Sequence, residues 1–369
     1  VQSFDPANVY TRAQVIDALV GKYGTRVVSY RFDRLNELNA YVEPVDFVTA
    51  ATVTNNALAD IKRTARFSVL DRGNINYLKD RIQPWAILDM PDGGRVEWPL
   101  GVFLLATPER TLDEVGIVRR EVEAYDQLLV LRDDMIDARF SIASGVVYTV
   151  AIASLVAAFS FAITPSVLTL PAVMEWEPGT SKLRILNDLL AAINYESAWF
   201  DEVGRLVCRP YQSPALRSPE YDYASSQASV ITGKVSQRLD LFAVPNKWVL
   251  IKSEADQAAI VGSFTNSSAS SPTSTVSRGR TITRVLEEQD AADLTTLNAK
   301  AARLGFEASQ VFENLSFTTV AMPMHSNADV VNLALAELAV SGKYSEHTWE
   351  LPLVPGARMS HTVRRVVSV

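Results

Sequence analysis

The sequence predicts a β-rich α+β fold of several domains, two blocks of strands around a small α/β insertion. Three observations carry this. At 369 residues the chain exceeds one ordinary compact core, and domains of roughly 100–150 residues give two to four of them. Hydrophobic residues make up 48% and charged residues 21%, a composition that folds. Alternating or β-branched runs, punctuated by turn residues, fill both the first third and the last part of the chain.

The elements follow in order. Residues 1–25 read as an N-terminal arm with a short amphipathic helix, with Thr11 as its N-cap and Val15, Leu19 and Val20 at helical spacing. Residues 26–134 form the first β block. Its turns are Asp71-Arg72-Gly73-Asn74 and Pro91-Asp92-Gly93-Gly94, the latter closing a hairpin between WAILDM and RVEWPL. Alternation in these runs fits an antiparallel sheet with one wet face.

Residues 135–212 are the α/β insertion. From Phe140 to Met174 there is no charged residue, and Ser144 to Thr164 is long enough to span a bilayer. Its Ser and Thr content, the break at Pro165 and the lack of basic flanks beyond Arg132 and Arg139 favour a buried helix followed by a short strand. Membrane contact by this segment is the alternative. Thr180 or Ser181 then caps a helix whose apolar face is Leu183, Ile185, Leu186, Leu189 and Leu190. AWFDEVGRLVCRPY reads as a hairpin turning at Asp201–Gly204.

Residues 213–369 are the second β block with embedded helices, entered through a polar linker at 213–225. Strands are expected in ITGKVSQRLD, NKWVLIKS, AAIVGSFTN, ITRVLEE and NLSFTTVAMPM. The Ser/Thr-rich stretch 264–278 reads as a mobile surface loop. Helices are expected at Asp290–Gln310 and Ala328–Val340, and a closing strand pair flanks Pro355-Gly356.

Chemistry is sparse. The only histidines are His325, His347 and His361, none in a helical metal-ligand spacing. Asp329 follows His325 closely enough for a metal pair or the start of a triad, but Ser326, Asn327 and Asp329 read more simply as a helix cap. His347 and His361 lie in strand patterns as cross-strand surface residues. Gly179-Thr180-Ser181-Lys182 faintly resembles a phosphate loop, yet Trp176 and Ser181 stand where glycines are needed. The acidic pairs Asp133-Asp134 and Glu287-Glu288 read as solvated faces, although paired carboxylates keep a glycosidic hydrolase open as the enzyme alternative. Arg119-Arg120 and Arg364-Arg365 lie in strands, where neighbours point to opposite faces, so each reads as surface or interfacial salt bridging. The lone cysteine, Cys208, reads as a small buried hydrophobe. The six tryptophans form no carbohydrate-binding stripe. A formal net charge of −7 argues against a dedicated DNA-binding protein while permitting a wall past which DNA slides. No catalytic, cofactor-binding or metal-ligating residue is assigned, and no cofactor is expected. Val1 to Gly21 shows no signal peptide.

Four stretches carry a resemblance. They are Asn55 to Leu105 with WAILDMPDGGRVEWPLG, Trp176 to Tyr211 with SKLRILNDLLAAINY, SPTSTVSRGRTITR from Ser271, and the run from Met324 through SEHTWELPLVPG to MSHTVRRVV. Together they resemble the minor tail proteins, or tail hub family, of siphophages that infect actinobacteria. These are framework residues, not a reaction signature. The resemblance implies a structural homotrimer at the virion tail tip, assembled in the host cytoplasm. Each subunit would offer two tube-like β domains of barrel or sandwich type. Three subunits would then adapt a sixfold tail tube to a threefold tip around the DNA-ejection channel. The partners implied are the distal tail protein, the tape measure protein and other tail-tip or fibre proteins. Longer members carry C-terminal fibres, spikes or hydrolases, so receptor binding or wall cleavage is expected to be delegated to other proteins. The alternatives are a hexameric distal tail ring protein and a tail-associated cell-wall hydrolase.

Overall fold

The computed structural model describes residues 2–112, 116–224, 230–239, 242, 244–254, 257–287, 291–310 and 313–367. The arm carries helix α1 (Arg12–Leu19), started by a capping box in which Thr11 and Gln14 satisfy each other's backbone N–H. The first β block follows as β1 (Val28–Leu35), β2 (Tyr41–Pro44), β3 (Val48–Asn56), β4 (Arg63–Leu70), β5 (Arg81–Asp89), β6 (Arg95–Pro99), β7 (Phe103–Leu112) and β8 (Val118–Tyr125). β5 and β6 form the expected hairpin over the Pro91–Gly94 turn.

The insertion comprises α2 (Leu128–Asp133), β9 (Phe140–Ile142), α3 (Tyr148–Leu155), β10 (Phe161–Ile163), β11 (Met174–Trp176), α4 (Lys182–Ala192), β12 (Trp199–Phe200) and β13 (Leu206–Cys208). Ser181 caps α4 by accepting from Arg184 N–H. The apolar segment 144–164 holds a helix of 8 residues, buried at Tyr148, Thr149 and Ile152 but exposed at Val150, and a short strand; among the described residues no helix is long and apolar enough to cross a membrane. Leu183, Ile185, Leu186, Leu189 and Leu190 join Ile152, Leu206 and Cys208 in a core of the insertion's own.

The remainder contains β14 (Tyr221–Ala224), β15 (Ser236–Leu239), β16 (Lys247–Glu254), β17 (Gln257–Thr265), α5 (Thr275–Arg278), β18 (Thr283–Leu286), α6 (Leu294–Gln310), β19 (Glu313–Val320), β20 (Val330–Leu335), β21 (Val340–Pro352) and β22 (Arg358–Arg365). The segment expected as a helix over Ala328–Val340 is instead mostly strand β20, pairing with β14 and β21. Positive φ at Ala328 (53°) and Ala339 (52°) brackets it, and the Val-Val start suits a pleated neighbour on both sides. The Ser/Thr-rich stretch 264–278 is packed, not a loose loop. Ser271, Thr273 and Ser274 are fully buried, Asn266 Nδ2 donates to Ser271 Oγ at 2.8 Å, and Thr273 Oγ1 donates to Ser309 Oγ at 3.2 Å. Hydroxyls that satisfy one another need no solvent, so polarity alone misread this segment.

The two β blocks do not stand apart. β21 pairs antiparallel with β3, from Thr348↔Asn56 to Pro352↔Thr52. The result is one 14-stranded sheet running β15-β19-β22-β21-β3-β4-β8-β7-β5-β1-β2, with β6, β14 and β20 off this path. Among the described residues no sheet closes into a barrel. One core serves both blocks, with Phe67, Trp98, Phe103, Phe317 and Trp349 all within it. Each such side chain taken fully from water is worth about 1.5–3 kcal/mol. Between β15 and β19 the chain forms a separate unit: β16, β17 and β18 make a three-stranded sheet covered by α6, with Trp248, Leu250 and Leu297 between them.

Candidate functional site

A concentrated cluster of buried ionisable groups lies inside the main sheet. Tyr223 comes from β14, Glu346 from β21, His361 from β22, and His325 and Asp329 from the turn before β20. Both histidines and both carboxylates are essentially without solvent exposure. Glu346 bridges the rings. Its Oε1 accepts from His361 Nδ1 at 2.5 Å, and its Oε2 lies 2.7 Å from His325 Nδ1. Asp329 Oδ2 sits 3.2 Å from the same His325 nitrogen and also accepts from Ser326 N–H at 2.9 Å. On the outer side of each ring, Tyr223 Oη is 2.6 Å from His325 Nε2 and Thr319 Oγ1 is 2.8 Å from His361 Nε2.

The electrostatics separate the two rings. Burial opposes a charge on His325, but Glu346 and Asp329 outweigh it and raise its pKa to about 9. His361 is lowered by burial and carries no second carboxylate. Glu346 stays below the usual range despite its burial, because both histidines favour its charged form. The cluster therefore holds an imidazolium between two carboxylates beside a neutral imidazole.

His325, Glu346 and His361 are the one described trio of side chains that could hold a metal ion, with ligand atoms within 4.8 Å of one another. The fit is poor. A divalent ion at roughly 2.0–2.2 Å from each donor spreads its ligand atoms to about 3 Å or more. The 2.5 and 2.7 Å contacts are hydrogen-bond separations, and all four ring nitrogens have protein partners. Protons, not a metal, join these groups. The network ties β14, β20, β21 and β22 at one point and offers no open position for a substrate.

The other sequence candidates resolve individually. Asp133 pairs with Arg132 and Asp134 with Lys182, so Lys182 of the phosphate-loop-like stretch closes a helix entry. Of Glu287-Glu288, the second lies outside the described residues. Arg120 and Arg110 share Asp71, and Arg365 pairs with Glu313, as salt bridging expects. Cys208 is buried and its thiol is pushed up to about 12. His347 and His361, expected as cross-strand surface residues, are not: Met359, His361 and Val363 alternate with Ser360 and Thr362 and face the core, and both ring nitrogens of His347 are buried. The faces of Glu346 and His347 were not legible in the sequence. Counting by twos from Trp349 and Leu351 puts His347 inside and Glu346 outside, but a bulge between Glu346 and Thr348 inverts that parity.

No family model matches the sequence, and no curated protein matches it. Solved structures do. A tail protein of Neisseria meningitidis aligns over 91% of this chain and 97% of its own, with TM-score 0.64 and 10% identity. The chain has the fold of phage tail proteins. A 43 kDa tail protein of a Shewanella oneidensis prophage aligns over 91% and 98%, with TM-score 0.61 and 13% identity. A prophage tail protein of Listeria monocytogenes aligns over 90% and 94%, with TM-score 0.57 and 12% identity. What these proteins share with the chain is the whole architecture at low identity.

Proposed function

We propose that this chain is a structural subunit of a phage tail, acting as the hub of the tail tip. In this reading three copies close a ring around the ejection channel and adapt a sixfold tube to a threefold tip. The observation that carries it is the end-to-end likeness to tail proteins, over 90% or more of both chains in each comparison. Two features of the sheet support a ring. It is open at β2 and at β15, and open strand edges invite a partner strand unless covered. Both edges carry exposed apolar side chains: Leu38, Tyr41 and Val42 beside β2, and Leu239 and Phe242 at β15. Two unlike edges on one subunit suit head-to-tail contacts that close by rotation. Its partners in this reading are further copies of itself, the neighbouring distal tail ring and the tape measure protein.

The test is copy number and symmetry of the assembled protein, by mass in solution and imaging of tail tips. Three copies in a closed ring establish the hub. Six copies move the chain to the distal ring, and a monomer absent from particles overturns the structural reading.

A further inference from the structure

The sheet, the insertion and α6 meet around a cleft of about 300 Å³. Its chemistry is one-sided. His347 enters it because it is the extra residue of the β21 bulge: Glu346 pairs with Val363, Thr348 pairs with Thr362, and His347 has no opposite number. The bulge coincides with a change of partner, since β21 pairs with β20 as far as Ser345 and with β3 from Thr348. An extra residue at such a point re-aims its side chain out of the ladder.

Both ring nitrogens of His347 are buried without a hydrogen-bond partner, and Tyr211 Oη, with only a weak contact to the Ser213 side chain, lies on the insertion side of the same cleft. Each unmade hydrogen bond of this kind costs about 1–3 kcal/mol, so buried polar atoms on residues lining one cleft favour an occupant that supplies partners. Two cations line it without a carboxylate in direct contact, although Asp60 and Asp126 act on Lys62 and Glu307 on Arg364 from further off. Lys62 Nζ donates to the carbonyls of Ala57 and Ala59, and Arg364 Nε to the amide oxygen of Asn314, all neutral acceptors. The carboxylates on the wall are already matched, Glu196 with Arg209 at 3.0 Å and Glu307 with Arg303 at 2.8 Å. Arg217, the remaining cation, is matched by Glu220 at 2.6 Å.

We propose that this cleft binds a tetrahedral oxyanion of the phosphate or sulfate class, held by His347 and Tyr211 as hydrogen-bond donors and by the charges of Lys62 and Arg364. Such an anion supplies several acceptors at once, which neither a cation nor an apolar ligand does. It would clamp three units of the fold, since its ligands come from β21 and β22, from the β3–β4 loop and from the insertion. Without an anion, burial and the Arg364 charge hold His347 neutral, its pKa lowered to about 3. A bound anion offsets the Arg364 charge, so binding raises the affinity of His347 for a proton.

The experiment titrates the whole chain with inorganic phosphate and with sulfate by calorimetry, using chloride at matched ionic strength as the blank, in two buffers of different ionisation enthalpy. We expect one saturable site per chain, a proton taken up on binding, and affinity at least tenfold weaker in Arg364→Gln and His347→Phe. Tyr211→Phe removes a single oxygen whose protein neighbour is the Ser213 side chain, and gives a second reading with a loss of several-fold. Absence of saturable binding by the parent chain, or affinity unchanged in Tyr211→Phe and Arg364→Gln together, overturns the site. Phosphate and sulfate bound with equal affinity assigns a free anion. A further titration with a phosphate monoester that binds more tightly than both assigns the same chemistry to a group on a larger molecule.

Discussion

His361 Nδ1 donates to Glu346 Oε1 at 2.5 Å, with both side chains fully buried. Glu346 also faces His325, so one carboxylate balances the His325 imidazolium while accepting from the neutral His361 ring. Glu346→Gln keeps the shape and removes that charge, leaving the His325 imidazolium short of its principal partner. Breaking a buried ion pair from one side costs about 3–5 kcal/mol. Urea unfolding of Glu346→Gln is expected to show that loss. Glu350→Gln, on the exposed face of the same strand, should stay within about 0.5 kcal/mol of the parent. Equal, small losses in both would mean that the network carries no stability.

The same cluster sets a pH profile. The folded pKa of His325, raised to about 9, lies above its unfolded value near 6.5. Its contribution is complete below about pH 6.5 and is lost as pH rises through 9, a span worth on the order of 3 kcal/mol. His347 and His361 act in the opposite sense. Their folded pKa values are lowered by burial, so the unfolded chain takes up their protons first and stability falls as pH drops below about 6.5. Stability should peak near pH 6.5. Urea midpoints between pH 6.5 and 9, compared with those of His325→Gln, isolate the alkaline limb from buried tyrosines and Cys208. A parent profile parallel to that of His325→Gln across this window would refute the charge assignment.

Much of the fold was legible because local and tertiary demands agree. The Thr11 and Ser181 caps, the Pro91–Gly94 hairpin and the leucine face of α4 need only near neighbours in sequence. Non-local pairing was not legible. Nothing in β3 or β21 alone says that Val53 faces Leu351 across nearly 300 residues, which merges the two β blocks into one sheet. The histidine network was hidden for the same reason, because its members meet only after β14, β20, β21 and β22 have paired. A single bulged residue then exchanges the faces that Glu346 and His347 would otherwise occupy.

Gly305 reverses an ordinary rule. In an exposed helix interior, glycine to alanine gains about 1 kcal/mol from reduced backbone freedom. In α6 a Cβ at Gly305 would lie 2.4 Å from Phe264 Cδ1 and 2.6 Å from Cε1, with Trp248 behind. Overpacking costs about 1–3 kcal/mol and exceeds the propensity gain. Gly305→Ala is therefore expected to destabilise, and Phe264→Leu added to it should recover part of the loss. Stabilisation by Gly305→Ala alone would show that α6 sits further from β17 than its packing indicates.

The sheet edges test assembly directly. Tyr41 is 61% exposed and Val42 43% at β2, while Leu239 is 49% exposed at β15. A lysine on an edge strand blocks strand addition and leaves the interior of the sheet untouched. Val42→Lys and Leu239→Lys are each expected to weaken self-association at least tenfold by sedimentation, with circular dichroism and urea midpoint unchanged. Because a ring uses both edges at every contact, either substitution alone should suffice, and the pair should add little once closure is lost. If one edge matters and the other does not, the contact is not head-to-tail. If neither matters, copies meet through another surface, and the open edges are covered by a different tail protein.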